Sequence, residues 1–185
     1  MGIFGNTAKK YPDCKSREDW FYKANSLIAE NQFDEAIICF DEALKLDPKN
    51  PQIWNNKAFA LVESGKPKKA IPCYDMALKL DPKNADTWYN KGTAAGKAGK
   101  FKESIIYFDE AIKITPNNSL AWNGKGFALG KIKKIHESIV CFDEAIKLNP
   151  QYFDAWYNKG YALKILGLNK DAEYCFVKAT ELKQK

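Results

Sequence analysis

Histidine and arginine are almost absent from this sequence, whose 185 residues include one of each, His136 and Arg17. Acid or base catalysis needs a titratable group that has a partner in a cleft, and the sequence places His136 on a turn. The chain also has no phosphate-binding glycine loop, no catalytic cysteine or serine arrangement and no metal-ligand spacing. We therefore expect a protein that is not an enzyme and that uses no cofactor and no metal.

The scarcity of arginine also bears on the net charge of +6, which comes almost wholly from lysine. A basic chain suggests nucleic acid or an acidic membrane as a partner, but bidentate contacts to phosphate and guanine favour the guanidinium group. No hydrophobic run approaches the length of a membrane span, and residues 1–16 lack an apolar stretch of signal-peptide size. The sequence thus predicts a cytoplasmic protein, without a membrane partner, and argues against nucleic acid.

Tryptophan, in contrast, recurs at a fixed interval. The spacing is 34 residues every time, at Trp20, Trp54, Trp88, Trp122 and Trp156. Five copies align without a gap as residues 17–50, 51–84, 85–118, 119–152 and 153–185. A unit this short cannot bury its own apolar face and must stack on its neighbours. We expect one array over 17–185, preceded by a segment, 1–16, that either folds over the first repeat through Ile3, Phe4 and Tyr11 or is disordered.

Each repeat contains two runs of apolar residues at helical spacing. Glycine separates the runs at Gly65, Gly99 and Gly167, and a proline such as Pro116 follows the second run and stops its helix. Each repeat therefore predicts an antiparallel helical hairpin, whose members are called helix A and helix B below. Small residues at the eighth, twentieth and twenty-seventh repeat positions, beside a large ring at the twenty-fourth, predict close packing of the two helices.

This period and its pattern of tryptophan, small residues, aromatic ring and proline resemble the tetratricopeptide repeat family over residues 17–185. The resemblance implies an all-α fold, a right-handed α-solenoid of five antiparallel helical hairpins with ten helices. The sequence departs from the family pattern at the seventh position, where every repeat has lysine instead of leucine. It also departs at Lys133, where the family has a turn glycine.

The resemblance further implies a noncatalytic protein-protein interaction scaffold that binds a peptide or a partner helix in a concave groove lined by helices A. In that family the fifth and ninth repeat positions face the groove, and we call these side chains the helix A face. Together with two glycines discussed next, the predicted groove residues are Phe21, Asn25, Asn55, Phe59, Tyr89, Thr93, Gly96, Asn123, Phe127, Gly130, Tyr157 and Tyr161. Aromatic rings supply contact area and asparagine can bond a peptide backbone. The alternative for each ring is packing between neighbouring helices.

Helix A of the third repeat is unusually rich in small residues, and an interior glycine costs about 1 kcal/mol relative to alanine. One explanation is a depression in the middle of the groove, with Gly96 and Gly130 as its floor and Phe59, Tyr89 and Phe127 as its walls. Such a depression would receive a bulky apolar side chain of the partner. Close helix packing is the other explanation.

Two further functions stay open. A repeat that binds RNA or another polyanion would need Lys97, Lys131 and Lys164 to form one positive stripe near the groove. A self-assembly module would bind a second copy of the chain, which would make it a homo-oligomer. The sequence does not identify the partner.

Four cysteines share the twenty-third repeat position, Cys39, Cys73, Cys141 and Cys175. Equivalent positions in stacked repeats lie roughly 10 Å apart, one helix diameter, whereas a disulfide needs α-carbons within about 7 Å. We therefore expect buried free thiols.

Aspartate recurs at the twenty-fifth position and has two candidate partners. Asp109, for example, has Lys113 four residues later on its own helix, and Lys125 at the seventh position of the next repeat. Ion pairs with this local spacing are common on helix surfaces. The spacing favours the local pair.

Overall fold

A computed structural model describes residues 10–183 of the chain. Ten α-helices follow one another between Arg17 and Lys183, and they alternate as helix A and helix B. They are α1 (Arg17–Ala29), α2 (Phe33–Leu46), α3 (Pro51–Glu63), α4 (Pro67–Leu80), α5 (Ala85–Lys97), α6 (Phe101–Ile114), α7 (Ser119–Lys131), α8 (Ile135–Leu148), α9 (Phe153–Ile165) and α10 (Asn169–Lys183). The predicted all-α fold of five helical hairpins is confirmed.

The chain divides into two compact units, one ending at Asn90 and one beginning at Lys91, so that the division falls within α5. In the first unit α1 packs against α2, α2 against α3, and α3 against α4. In the second unit the same order of contacts runs from α6 to α10. The hairpins α1–α2, α3–α4, α7–α8 and α9–α10 therefore each close on themselves, and successive helices within one unit pack together, as short stacked repeats require.

The turn inside each hairpin places the fifteenth repeat residue in the left-handed region of backbone conformation. Glycine holds this position in three repeats, with φ of 76° at Gly65, 78° at Gly99 and 76° at Gly167. Asn31 and Lys133 adopt it with φ of 58° and 65°. Glycine is preferred there because a Cβ clashes with the backbone in this conformation. Lys133 keeps the same turn despite its side chain.

Helices A and B approach closely where the eighth repeat residue meets the ring at the twenty-fourth position. A Cβ added to Gly126 would lie 2.7 Å from the ring of Phe142, closer than nonbonded carbon atoms come. The corresponding distance is 2.8 Å both for Gly92 with Phe108 and for Gly160 with Phe176. The predicted close packing at the small positions is confirmed, and a Cβ at these three glycines would require the facing ring to shift.

Four of the five tryptophans donate their indole N–H to the carbonyl oxygen of the proline six residues earlier. The distances are 2.9 Å for Trp54 to Pro48 and 3.0 Å for Trp88 to Pro82, Trp122 to Pro116 and Trp156 to Pro150. Each bond ties a helix A to the loop that enters it. The rings are half-buried, so tryptophan serves both the packing and the connection between repeats.

Trp20 differs from the other tryptophans because Cys14, and not a proline, lies six residues before it. Its ring is only 5% exposed and meets the edge of the Tyr11 ring at a centroid distance of 6.3 Å. Tyr11 in turn donates its hydroxyl to Glu35 Oε2 at 3.0 Å, and Lys10 Nζ lies 2.5 Å from Glu35 Oε1. Residues 10–16 therefore contact the first hairpin, whereas Ile3 and Phe4 lie outside the described residues.

Three aspartates at the twenty-fifth position bind lysines of the following repeat, which shows that the favoured local pairing was wrong for them. The distance from Asp109 Oδ1 to Lys125 Nζ is 2.6 Å. Asp41 contacts Lys57 at 2.5 Å and Asp143 contacts Lys159 at 2.6 Å in the same way. The local lysine Lys113 instead faces Glu110, three residues earlier, at 3.8 Å. At Lys57, Lys125 and Lys159, the lysine that replaces the family's leucine thus joins consecutive repeats.

The five cysteines are free, and the four that share a repeat position are buried. Burial raises the pKa of Cys39 and of Cys141 to about 11. The thiolate is the reactive and metal-binding form of cysteine. Because these two thiols stay protonated near neutral pH, they are unreactive there. The described residues contain no group of three or more histidine, cysteine or acidic side chains placed to hold a metal ion.

Candidate functional site

The helix A face of the first unit combines rings and amides. Phe21 is half-buried and packs against the Phe40 ring at a centroid distance of 6.2 Å, whereas Phe59 is 39% exposed. Asn25 and Asn55 are half-buried. Among the rings that this unit contributes to the helix A face, Phe59 is therefore the most exposed, and Phe21 serves mainly the core of its own hairpin.

A chain of side-chain amides joins the helices A of the first unit. Asn56 Nδ2 donates to Asn25 Oδ1 at 3.1 Å, and Asn55 Nδ2 donates to Asn56 Oδ1 at 3.2 Å. Asn90 Nδ2 then donates to Asn55 Oδ1 at 3.3 Å. Sequence reasoning missed Asn56 and Asn90, which hold the sixth repeat position. The available signal was asparagine at that position in three of the five repeats.

The same arrangement recurs in the second unit around Asn123. Its Oδ1 accepts a hydrogen bond from Asn158 Nδ2 at 3.1 Å, and its Nδ2 donates to the hydroxyl of Tyr152 at 3.2 Å. Asn158 again holds the sixth repeat position. These bonds fix the register of α7 and α9, and they leave each amide nitrogen one further hydrogen to donate.

The largest exposed rings of the helix A face lie beside this amide pair. Phe127 is 46% exposed on α7, and on α9 Tyr157 is 50% and Tyr161 59% exposed. Tyr157 also stacks on Phe153 and contacts Phe176, with centroid distances of 6.0 and 5.6 Å. Tyr157 thus packs and presents surface at once, while most of the Tyr161 ring faces solvent.

The glycines of the predicted depression point toward helix B. A Cβ added to Gly96 would lie 3.4 Å from Ser104 Oγ, and one added to Gly130 would lie 4.0 Å from Ser138 Oγ. Both distances allow an ordinary contact, so neither glycine is required for close packing. Tyr89 and Thr93, the remaining predicted residues, are half-buried. The depression itself stays a prediction.

The lysines of the alternative positive stripe are all exposed and occupy the last turns of three helices A. They are Lys97 on α5, Lys131 on α7 and Lys164 on α9. A cation at this end of a helix interacts favourably with the helix dipole, which accounts for their position without a ligand. Lys131 Nζ also lies 5.0 Å from the centre of the Phe127 ring, so it borders the helix A face.

Two further observations concern the single histidine and the possibility of a membrane-spanning helix. His136 is exposed in the first turn of α8, away from any cluster that could bind a metal. No helix between residues 10 and 183 has the length and apolar character needed to cross a membrane. The helix A face thus offers rings and amides for contact with another molecule.

Comparison with protein families agrees with the repeat assignment. The family model described as "Tetratricopeptide repeat" matches residues 51–84, 85–118 and 119–152. A related model with the same description matches 141–174, and one described as "TPR repeat" matches 24–65. The matches to 51–152 coincide with the repeat boundaries read from the tryptophan spacing. No curated protein sequence matches the chain.

Several solved structures share the fold. MamA 41-end from Desulfovibrio magneticus RS-1 has a TM-score of 0.84 and 20% sequence identity over 91% of this chain and 95% of that one. PilW, a type IV pilus biogenesis factor, has a TM-score of 0.82 and 23% identity over 91% and 78%. YrrB, described as a TPR protein with an unusual peptide-binding site, has a TM-score of 0.73 and 22% identity over 100% and 94%. At these identities the likeness shows the fold.

Proposed function

Because the chain belongs to the tetratricopeptide repeat family, a protein-interaction repeat, we propose that it is a noncatalytic scaffold whose helix A face binds an extended peptide or a partner helix. Stacked hairpins of this kind create extended binding surfaces instead of enclosed pockets. The structural neighbour YrrB, whose description names a peptide-binding site, supports a peptide as the class of ligand.

The observation that carries the proposal is the group of exposed rings on α7 and α9. Phe127, Tyr157 and Tyr161 are each about half exposed and lie on two helices held in register by Asn123 and Asn158. Tyrosine and other large rings dominate the energetics of protein interfaces because they bury much area at little entropic cost. A rigid patch of this composition favours a peptide or protein partner.

The asparagines have a narrower role in this proposal than the sequence suggested. Asn55 and Asn123 each use both their oxygen and their nitrogen within the protein. They can still donate one hydrogen to a peptide carbonyl, but their main effect is to position the helices. In this proposal the rings contribute most of the binding affinity, and the amides hold the helices that carry the rings in position.

The test compares two tyrosines of nearly equal exposure on different helices. Tyr161 on α9 is 59% exposed and Tyr174 on α10, a helix B, is 57% exposed. Peptides would be selected from a random displayed library against the whole chain, and their affinity measured by fluorescence polarisation. We expect Tyr161→Ala to weaken binding at least tenfold and Tyr174→Ala to change it less than twofold.

Equal effects of the two variants, or a library that yields no binding peptide, would contradict this proposal. The polyanion alternative is tested in parallel with a single-stranded oligonucleotide probe across salt concentrations. Phosphate contacts give a steep linear fall of log affinity with log salt. Tight, strongly salt-dependent oligonucleotide binding that the lysine substitutions at 97, 131 and 164 abolish would favour that alternative instead.

A further inference from the structure

A cavity of about 400 Å³ opens in the first unit between the first turns of α3 and α5. The loop between α4 and α5 closes one side. Asn55, which belongs to the helix A face, lines this cavity together with Asn56. A peptide on the helix A face could therefore extend a side chain into it.

The charged side chains that line the cavity are two carboxylates, Asp81 and Asp86. No lysine or arginine lies in its wall, and neither aspartate takes part in the ion pairs of the described residues, although Asp81 Oδ2 accepts a hydrogen bond from Asn84 Nδ2 at 3.4 Å. The other lining groups are mostly neutral amides and a hydroxyl. An opening of this composition in an otherwise basic chain selects for a cation.

The helix N-termini at this cavity are already capped and do not offer an anion site. Asn84 Oδ1 accepts hydrogen bonds from Thr87 N at 2.9 Å and from Thr87 Oγ1 at 3.0 Å. Asn50 Oδ1 accepts from Gln52 N at 3.0 Å in α3. The backbone N–H groups of Gln52 and Thr87 already donate to the two cap asparagines. The carboxylates therefore set the charge of the cavity.

At the corresponding position of the first repeat, a guanidinium group of the chain itself lies beside the aspartate. Asp47 is the equivalent of Asp81, and Arg17 Nε lies 3.7 Å from Asp47 Oδ2. The guanidinium of Arg17 also contacts the carboxylate of Glu18, whose equivalent in the second repeat is the neutral Gln52. In the second repeat the residue equivalent to Arg17 is Pro51. The aspartate is therefore retained while its guanidinium partner is missing.

We propose that the cavity is a subsite for an arginine side chain of the bound peptide, held by Asp81 and Asp86. A planar guanidinium can donate to two carboxylates at once, and its remaining N–H groups can reach amide oxygens such as those of Asn55 and Asn56. This inference rests on the proposed function, because it adds a sequence preference to the same peptide-binding face.

The experiment titrates the isotopically labelled full chain with N-acetyl-argininamide and follows amide resonances by NMR at low ionic strength. N-acetyl-citrullinamide, which has nearly the same shape but no charge, is the matched ligand control. We expect saturable shifts at Thr87 and at the side-chain amides of Asn55 and Asn56 with the arginine probe. The citrulline probe should bind at least tenfold more weakly.

Two variants test the carboxylates and the internal comparison. The double substitution Asp81→Asn and Asp86→Asn should weaken the arginine probe at least tenfold, whereas Glu18→Gln in the first repeat should leave it unchanged. Pro51→Arg should supply the guanidinium from the chain itself and abolish probe binding, with α3 intact by circular dichroism because Arg17 begins α1 at the same repeat position.

Equal shifts with citrulline, or an unchanged affinity in the double variant, would overturn the subsite. Because the probe is a single residue, its failure leaves the peptide selection on Tyr161 untouched. Conversely, a library without binding peptides would contradict the proposed function even if the arginine probe bound.

Discussion

The indole nitrogen of Trp122 donates a hydrogen bond to the carbonyl oxygen of Pro116 across 3.0 Å. Pro116 lies two residues after the end of α6 and Trp122 lies in the first turn of α7, so this bond joins the end of one repeat to the start of the next. The same pair of residues recurs at Trp54, Trp88 and Trp156. Two constant features of the repeat, the tryptophan and the proline, therefore form one contact.

Removal of this donor should destabilise the array. We expect Trp122→Phe to lower the free energy of unfolding by about 1 to 3 kcal/mol, because it leaves the carbonyl without its partner and also shrinks the ring. Urea denaturation followed by circular dichroism measures the change. Replacement of Trp122 by benzothienylalanine, which keeps the ring size and lacks the N–H, isolates the hydrogen bond at about 1 kcal/mol. An unchanged unfolding midpoint for that replacement would show that the bond contributes nothing.

The aspartate and lysine pairs between repeats give a second prediction. A double-mutant cycle of Asp109→Asn and Lys125→Met should show a coupling free energy of about 0.5 to 1 kcal/mol, reduced by added salt. The control cycle of Asp109→Asn with Lys113→Met should show no coupling, because Lys113 faces Glu110. A larger coupling in the control cycle would restore the local pairing.

These pairs also show which contacts could not be predicted from the sequence. The hairpins were predictable because tryptophan and the small positions recur in all five repeats and the proline after helix B recurs in four. The partner of Asp109 was not, since spacing alone allows both Lys113 and Lys125, and only the packing of α7 on α6 decides between them. Asn56 was missed for the same reason, because the sixth position meets a neighbouring helix only after the repeats stack. The arginine subsite depends on single differences between repeats, Arg17 against Pro51, which no periodicity reveals.

The buried cysteines should react slowly with thiol reagents. Burial raises the pKa of Cys39 and Cys141 to about 11, so that roughly one thiol in a thousand is ionised at pH 8. Cys14 is half-buried and should be modified first by DTNB in the native chain. Cys14→Ser should remove this early phase, and unfolding in urea should expose the remaining four. Early modification of a second thiol in the native Cys14→Ser chain would disagree with the burial of the other cysteines.

Two glycines of the same helix should respond in opposite ways to alanine. A Cβ at Gly130 has Ser138 Oγ as its nearest neighbour at 4.0 Å, so Gly130→Ala should gain about 0.5 to 1 kcal/mol from the higher helix propensity of alanine. A Cβ at Gly124 would lie 2.5 Å from Phe108 Cζ. Gly124→Ala should therefore lose about 1 to 3 kcal/mol through overpacking, because the ring of Phe108 also faces Gly92 and cannot withdraw in that direction.

Thermal and urea unfolding of the two variants against the parent chain measure these changes, and each glycine serves as the control for the other because both lie on α7. If both variants gained stability, the Phe108 ring would have another position available and the close approach at Gly124 would not constrain the array. If both lost stability, the space beside Gly130 would be needed for the packing of α7 on α8. Changes of opposite sign in the free energy of unfolding would show that helix propensity dominates the effect at Gly130. They would also show that the contact between repeats dominates at Gly124.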